Sequence, residues 1–122
     1  MHGVPKRLKL SGFYGLALRA VDFLENITYF RFGAPGEREM EIGVEGRWEL
    51  ESQDGQVVLE GVPLVEARVE PQLLPIGSVV EVGRVNPPRS FELQFAGGAI
   101  LRIFDSSEHY ESFSIPQLNV YV

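Results

Sequence analysis

One stretch of the 122-residue chain gathers the side chains best suited to chemistry: Asp105-Ser-Ser-Glu-His-Tyr-Glu-Ser112 holds acids, hydroxyls and one of the two histidines. Read as nucleophile, base and orienting acid, it would be hydrolytic. Triad members, however, converge in space from distant segments, not from seven adjacent residues. Read as a metal site, it offers His109 with Asp105, Glu108 and Glu111, a single nitrogen ligand at no recognised spacing. The simpler reading is a loop after a strand ending at Phe104, with Asp105 or Ser106 capping a turn and Tyr110 and Phe113 packed inward. No metal and no cofactor is expected.

A second set of carboxylates lies at residues 39–51, E-M-E-I-G-V-E-G-R-W-E-L-E. Glu39, Glu41, Glu45, Glu49 and Glu51 fall on odd positions, and Met40, Ile42, Val44, Trp48 and Leu50 on even ones. Such alternation is extended chain with one buried and one wet face. Carboxylates at i,i+2 spacing on a wet face are solvated, whereas glycosidase acids need a cleft and separate environments. They are read as a single outward rim, either a solvated face that keeps the protein soluble or a docking surface for a basic partner. Association at such a rim is set mainly through the on-rate.

No G-x-G-x-x-G and no phosphate loop occurs, and Lys6-Arg7-Lys9 is too short for a nucleic-acid arm without interleaved aromatics. With no cysteine there is neither disulfide nor thiolate chemistry. Eleven basic against 17 acidic residues give −6, against general affinity for nucleic acid or an anionic membrane. The charge is uneven. Residues 1–36 carry five basic and two acidic side chains, net +3; residues 37–70 carry three and ten, net −7; residues 71–122 carry three and five, net −2. No apolar run approaches the roughly 20 residues of a spanning helix. Lys6, Arg7 and Lys9 are followed by Ser11, Gly12 and Tyr14, so no secretory leader is expected.

The elements that must position these groups are strands. Thirteen residues at about 3.3 Å each exceed one straight strand of a small domain, so 39–51 is read as two strands with a corner at Gly43 or Gly46. Phe91–Phe95 and Ala99–Phe104 form a hairpin. A three-residue loop, Ala96-Gly97-Gly98, pairs Leu93 with Leu101 and Glu92 with Arg102, and it alone keeps one face apolar. Val79–Val85 is a further strand ending at Asn86-Pro87-Pro88, and 57–69 holds two short apolar runs. Pro71-Gln-Leu-Leu-Pro75 fits one helical or 3₁₀ turn, and Asn119–Val122 a terminal strand. Residues 13–24 have helical spacing, with Ser11 as a cap, but also read as a strand of a hairpin with Ile27–Phe32. An internal similarity favours strands: Gly15, Ala17, Leu18, Ala20 and Phe23 line up with Gly77, Val79, Val80, Val82 and Val85. The expectation is one all-β domain over residues 1–122, of eight or nine short strands. It would be a sandwich or partly closed barrel with two similar three-strand meanders at 15–51 and 77–113.

Residues 74–113 carry Leu74-x-Ile-Gly77, Phe91-x-Leu-x-Phe-x-Gly-Gly98, Leu101-x-Ile103, Asp105-Ser106 and Tyr110-Glu-Ser-Phe113. This resembles a group of small bacterial proteins in which a hairpin L-x-F-x-x-G-x-x-L-x-I is followed by an acidic turn and a Y-E-S-[WF] segment. Some of these are similar to immunity proteins encoded beside polymorphic toxins. The resemblance implies a cytoplasmic, non-enzymatic protein and transfers no catalytic residue.

Three functions follow in order of expectation. The first is a surface-acting binding protein, of the immunity-inhibitor or partner-docking kind, for a basic protein. The second is a small-ligand barrel with Phe30, Phe32, Trp48 and Phe95 at its mouth. The third is an enzyme centred on Asp105 and His109. Because His109 lacks a second nitrogen partner, His109→Ala is expected to leave activity nearly unchanged. A hundredfold loss with an unaltered circular-dichroism spectrum would make the third reading correct.

Overall fold

The computed structural model describes residues 3–34, 36–61, 71–105 and 112–122. Among them ten strands form two five-stranded antiparallel sheets, packed face to face and open at their edges. The strands are β1 (Leu18–Phe23), β2 (Thr28–Gly33), β3 (Glu39–Val44), β4 (Trp48–Glu51), β5 (Val57–Gly61), β6 (Val80–Asn86), β7 (Ser90–Phe95), β8 (Ile100–Phe104), β9 (Phe113–Ile115) and β10 (Val120–Tyr121). The first sheet runs β1-β2-β3-β9-β10 and the second β5-β4-β8-β7-β6. The all-β sandwich expectation holds, with more strands than the periodicity suggested. The segment Phe113–Ile115, three residues before Pro116, is too short to show as a period. No described helix is long and apolar enough to cross a membrane.

The β7–β8 hairpin has the three-residue register. Phe91 faces Ile103, Glu92 faces Arg102, and Leu93 faces Leu101. The amide of Phe95 donates to Ala99 (2.8 Å) and closes the loop. Residues 13–24 are not a helix: β1 and β2 form a hairpin, and Ser11 lies inside a 3₁₀ turn (Leu10–Phe13), not at a cap. A 3₁₀ turn also occupies Pro71–Leu73. The second apolar run of 57–69 lies outside the described residues.

The two meanders, β1-β2-β3 and β6-β7-β8, are related by an internal two-fold arrangement. Their meeting point is the isolated bridge between Ala17 and Val79. Around it Gly15 donates to Val80 and Gly77 to Leu18 (both 2.8 Å), while Leu18 donates to Ser78 (3.0 Å) and Val80 to Leu16 (2.9 Å). Advancing each residue of one bond by 62 positions, or setting it back by 62, generates its mate. Gly15 and Gly77 both have positive φ, +80° and +88°, a conformation only glycine adopts without strain. Each meander then bulges at the same place, between Leu18 and Ala20 and between Val80 and Val82.

After each meander the chain crosses over. β4 leaves β3 to pair with β8 of the other sheet, and β9 leaves β8 to pair with β3. The corners match: the Glu45 amide donates to Ser112 and the Phe104 amide to Arg47, both at 3.0 Å. Both halves thus exchange a two-strand arm, β4–β5 for β9–β10.

Between the sheets the core is aromatic and filled. Phe32 stacks on Phe95 (centroids 6.4 Å apart), Phe13 meets Phe32 edge-on, and Phe30 meets Trp48 edge-on, both pairs at 5.1 Å. Phe30, Phe32, Trp48 and Phe95, expected at a barrel mouth if a ligand were held there, are each at most 1% exposed in this core. Sheets that stay open form no barrel mouth, and these rings gain more from packing on one another than from lining a void. A Cβ on Gly61 would fall inside the Trp48 indole. Gly61→Ala should therefore cost about 3 kcal/mol. Leu93→Ala should cost about 2–5 kcal/mol and Glu92→Ala less than about 1 kcal/mol. Urea denaturation of the three variants measures all of these, and equal losses at positions 92 and 93 would overturn the face assignment.

Candidate functional site

The five glutamates of 39–51 do not form a single rim. Side-chain parity is kept through the corner, so Met40, Ile42, Val44, Trp48 and Leu50 are all buried. Since β3 and β4 belong to different sheets that face each other through those residues, their odd positions point in opposite directions. Glu39 and Glu41 lie on the outer face of the first sheet, and Glu49 and Glu51 on that of the second. Glu45 sits half-buried at the corner and makes no ion pair among the described residues.

Four of the five are held by arginines of neighbouring strands. Glu39 pairs with Arg19 (3.4 Å), and Glu41 with Arg31, which also binds Asp22 (2.7 Å). The Asp22 hydrogen bond, against slight desolvation and with the charge of Glu41, raises the Arg31 pKa above its ordinary value. Arg31 also lies over the Tyr29 ring, 5.1 Å from its centroid. On the second sheet the register lines up Glu60, Glu49, Arg102, Glu92 and Arg84 in one row across the strands. Arg102 donates to Glu49 (2.6 Å) and Glu92 (3.2 Å) and lies 3.8 Å from Glu51. Burial opposes its charge, but the Glu49 hydrogen bond and the charges of Glu92, Glu51 and Glu49 outweigh that, and its pKa is raised. Glu49, only 8% exposed, is ionically matched from two sides, by Arg102 and by Arg47 at 3.4 Å. Most of this acidic charge is therefore committed within the sheets.

Asp105 is committed as well. Its carboxylate accepts from the Ser112 hydroxyl (2.8 Å), and its amide donates to Arg89 (2.8 Å). Ser112 is fully buried, and its amide donates to the carbonyl of Val122, itself buried. Asp105 and Ser112 thus tie together the two ends of the segment 106–111. Glu108, His109 and Glu111 lie outside the described residues. Among the described residues no group of His, Asp and Glu is arranged to hold a metal ion.

What the sequence did not reveal is a groove of about 510 Å³ at one end of the second sheet. The end of β4 supplies Glu51, the β4–β5 turn Ser52, Gln53 and Asp54, the β7–β8 loop Gly97 and Ala99, and Leu50, Val58 and Leu73 add apolar wall. The Asp54 carboxylate accepts from the Ser52 hydroxyl, which lowers its pKa and keeps it ionised further into the acid range. Both charged groups of the lining are acids. The groove depends on β5 bulging against β4, which turns Val57 and Val58 to the outer face together. Ser52-x-Asp54-Gly55 is a readable turn signal, but nothing in it announces Leu73 in the same lining.

No protein-family model, no curated protein and no solved structure matches the chain. The Arg102 network generates a stability contrast. Arg102→Ala leaves Glu49 short of its closest partner in a largely buried place and should cost about 2–3 kcal/mol. Arg19→Ala, at an exposed pair, should cost less than about 1 kcal/mol. Denaturant midpoints decide it; equal costs would mean that the Arg102 row contributes no more than surface charge.

Proposed function

We propose that this chain is a non-catalytic binding domain that docks a basic protein partner, with the end groove as its contact site. The observation that carries the reading is the composition of that groove: apolar walls from Val58, Leu73 and Ala99 beside Glu51 and Asp54, with no cation among the described lining residues. An apolar anchor flanked by a lysine or arginine matches it in shape and charge. The acids first expected to dock a partner are mostly matched by Arg19, Arg31, Arg47 and Arg102, so Asp54, held by a neutral hydroxyl, offers more to an incoming cation. A cytoplasmic inhibitor of the immunity type, acting on a basic toxin, is the biological role most in keeping with this chemistry and with the resemblance of residues 74–113.

The test is affinity capture from source lysate, followed by binding kinetics with the captured protein. Asp54→Lys with Leu73→Asp changes two groove residues; Glu39→Lys with Glu41→Lys alters the far sheet face. The partner should be basic and should lose tenfold or more affinity to the groove variant but little to the other. Its on-rate should fall from about 50 to 200 mM salt. A partner that binds the groove variant as well as the unchanged protein overturns the assignment. A small molecule retained in native mass spectrometry and lost with the groove variant would replace the protein partner by a ligand.

A further inference from the structure

Among the described residues, five of the six cations without an ion pair gather at one edge; the sixth, Arg38, donates to the Tyr14 carbonyl (2.7 Å). Residues 3–14 run as a strap along the open edge of β6. The Val4 amide donates to the Pro88 carbonyl (2.9 Å) at one end of that strand. Leu10 packs against Gly83, so closely that a Cβ there would clash with it. The Tyr14 hydroxyl accepts from the Gly83 amide (3.0 Å), occupying a donor that the edge would otherwise present to solvent. Val4, Leu10 and Phe13 are buried as anchors, while Lys6, Arg7 and Lys9 between them are exposed. The strap carries these three cations along the edge of the strand whose outer face bears Arg84, opposite Glu92, and toward the turn that bears Arg89, both exposed. None of the five has an ion pair among the described residues, in contrast to Arg19, Arg31, Arg47 and Arg102. Half of the ten described basic side chains thus line one edge of a protein with net charge −6.

We infer that this strap-and-edge strip is a second binding site, of opposite sign to the groove, for an acidic segment of five or six residues in a protein partner. The length follows from the anchors: Gly83 to Pro88 is five residue steps over the end of β6 and into the β6–β7 turn, at most about 17 Å of chain. An extended acidic segment of that length sets one carboxylate row along the strip. A nucleic acid is disfavoured because its backbone would run past the strip onto a molecule of net negative charge. Between its cations the strip also lacks the interleaved aromatic platforms on which bases stack; the exposed ring of the strap, Tyr14, lies beyond Lys9 with its hydroxyl bound to Gly83. It lies at the β6–β7 turn, whereas the groove lies at the β7–β8 loop, at the other end of the six-residue strand β7. The two sites are about 20 Å apart along the sheet, beyond the screening length at physiological salt.

The probes are a fluorescein-labelled hexaglutamate peptide and a labelled single-stranded hexanucleotide, followed by anisotropy at 50 and 200 mM salt. The peptide should bind at 50 mM salt and weaken tenfold or more at 200 mM. Lys6→Glu/Arg7→Glu/Lys9→Glu should abolish its binding, and Arg84→Glu/Arg89→Glu should weaken it at least tenfold. Each reversal keeps a charge on the β6 edge, so a strip that only guards that edge against aggregation leaves solubility and thermal midpoint unchanged. Should a reversed variant not fold, the glutamine substitutions at 6, 7 and 9 replace it, with a loss of tenfold or more expected. Asp54→Lys should bind the peptide at least as well as the unchanged protein, which separates failure here from failure of the groove reading. The inference is overturned if the peptide does not bind at 50 mM salt, if the substitutions leave its binding unchanged, or if the hexanucleotide binds more tightly.

Discussion

The fold turns on four backbone hydrogen bonds around Ala17 and Val79. They join the leading ends of β1 and β6, the strands that begin the two meanders, and they do so in two symmetric pairs. Because backbone geometry alone defines them, they fix the relative placement of the two sheets before any side chain is chosen. Directly beneath, Phe32 and Phe95 take the position next to each bulge, opposite Leu18 and Val80, and stack on each other between the sheets. One local arrangement thus sets both how the sheets meet and what fills the space at their junction.

The exchange of arms follows from that placement. A three-strand meander has an exposed inner face and an open edge, and on its own would satisfy neither. Each meander receives its fourth and fifth strands from the other half: β4–β5 completes the second sheet and β9–β10 the first. Every sheet therefore depends on residues from both halves, and the pairings that close the structure, such as Trp48 with Ile103 and Val44 with Phe113, span more than fifty residues of chain. Long-range pairing of this kind makes the two halves one cooperative unit and predicts slow folding for the size of the chain.

Local side-chain logic made part of this legible. The register of β7–β8 could be read because only one loop length avoids placing Arg102 on the apolar face, and that constraint is local. The matching of Gly15 with Gly77 was visible because a positive φ restricts the residue type. Alternation in 39–51 gave the buried set correctly but could not give the direction of the wet set. Parity along a chain says nothing about which sheet the next strand joins, and the crossover at Glu45–Arg47 turns one apparent rim into two faces. The groove and the strap were illegible for the same reason. Leu73 comes to share a groove with Val58, and Leu10 meets Gly83, only through packing across distant segments. Lys6, Arg7 and Lys9 read only as a basic run too short for a nucleic-acid arm, because the sequence does not show the β6 edge they lie against.

The backbone is symmetric, but the charges are not, and the asymmetry is where specificity resides. The pair Glu49–Arg102 on the second sheet occupies the place of Ser114–Gly43 on the first. A part-buried ion pair thus stands where the other half has a hydroxyl beside a glycine. An ion pair in that position orients a row of charges across the whole second sheet, from Glu60 to Arg84, and commits its interior members to one another. Charge left over then collects where the row and the strands end: acids at the β4–β5 turn, cations along the strap on β6. A duplicated scaffold with equivalent surfaces would present the same chemistry twice. Filling equivalent positions with different side chains gives this domain an acidic end and a basic edge on a single sheet, and so an orientation in which any charged partner must approach it.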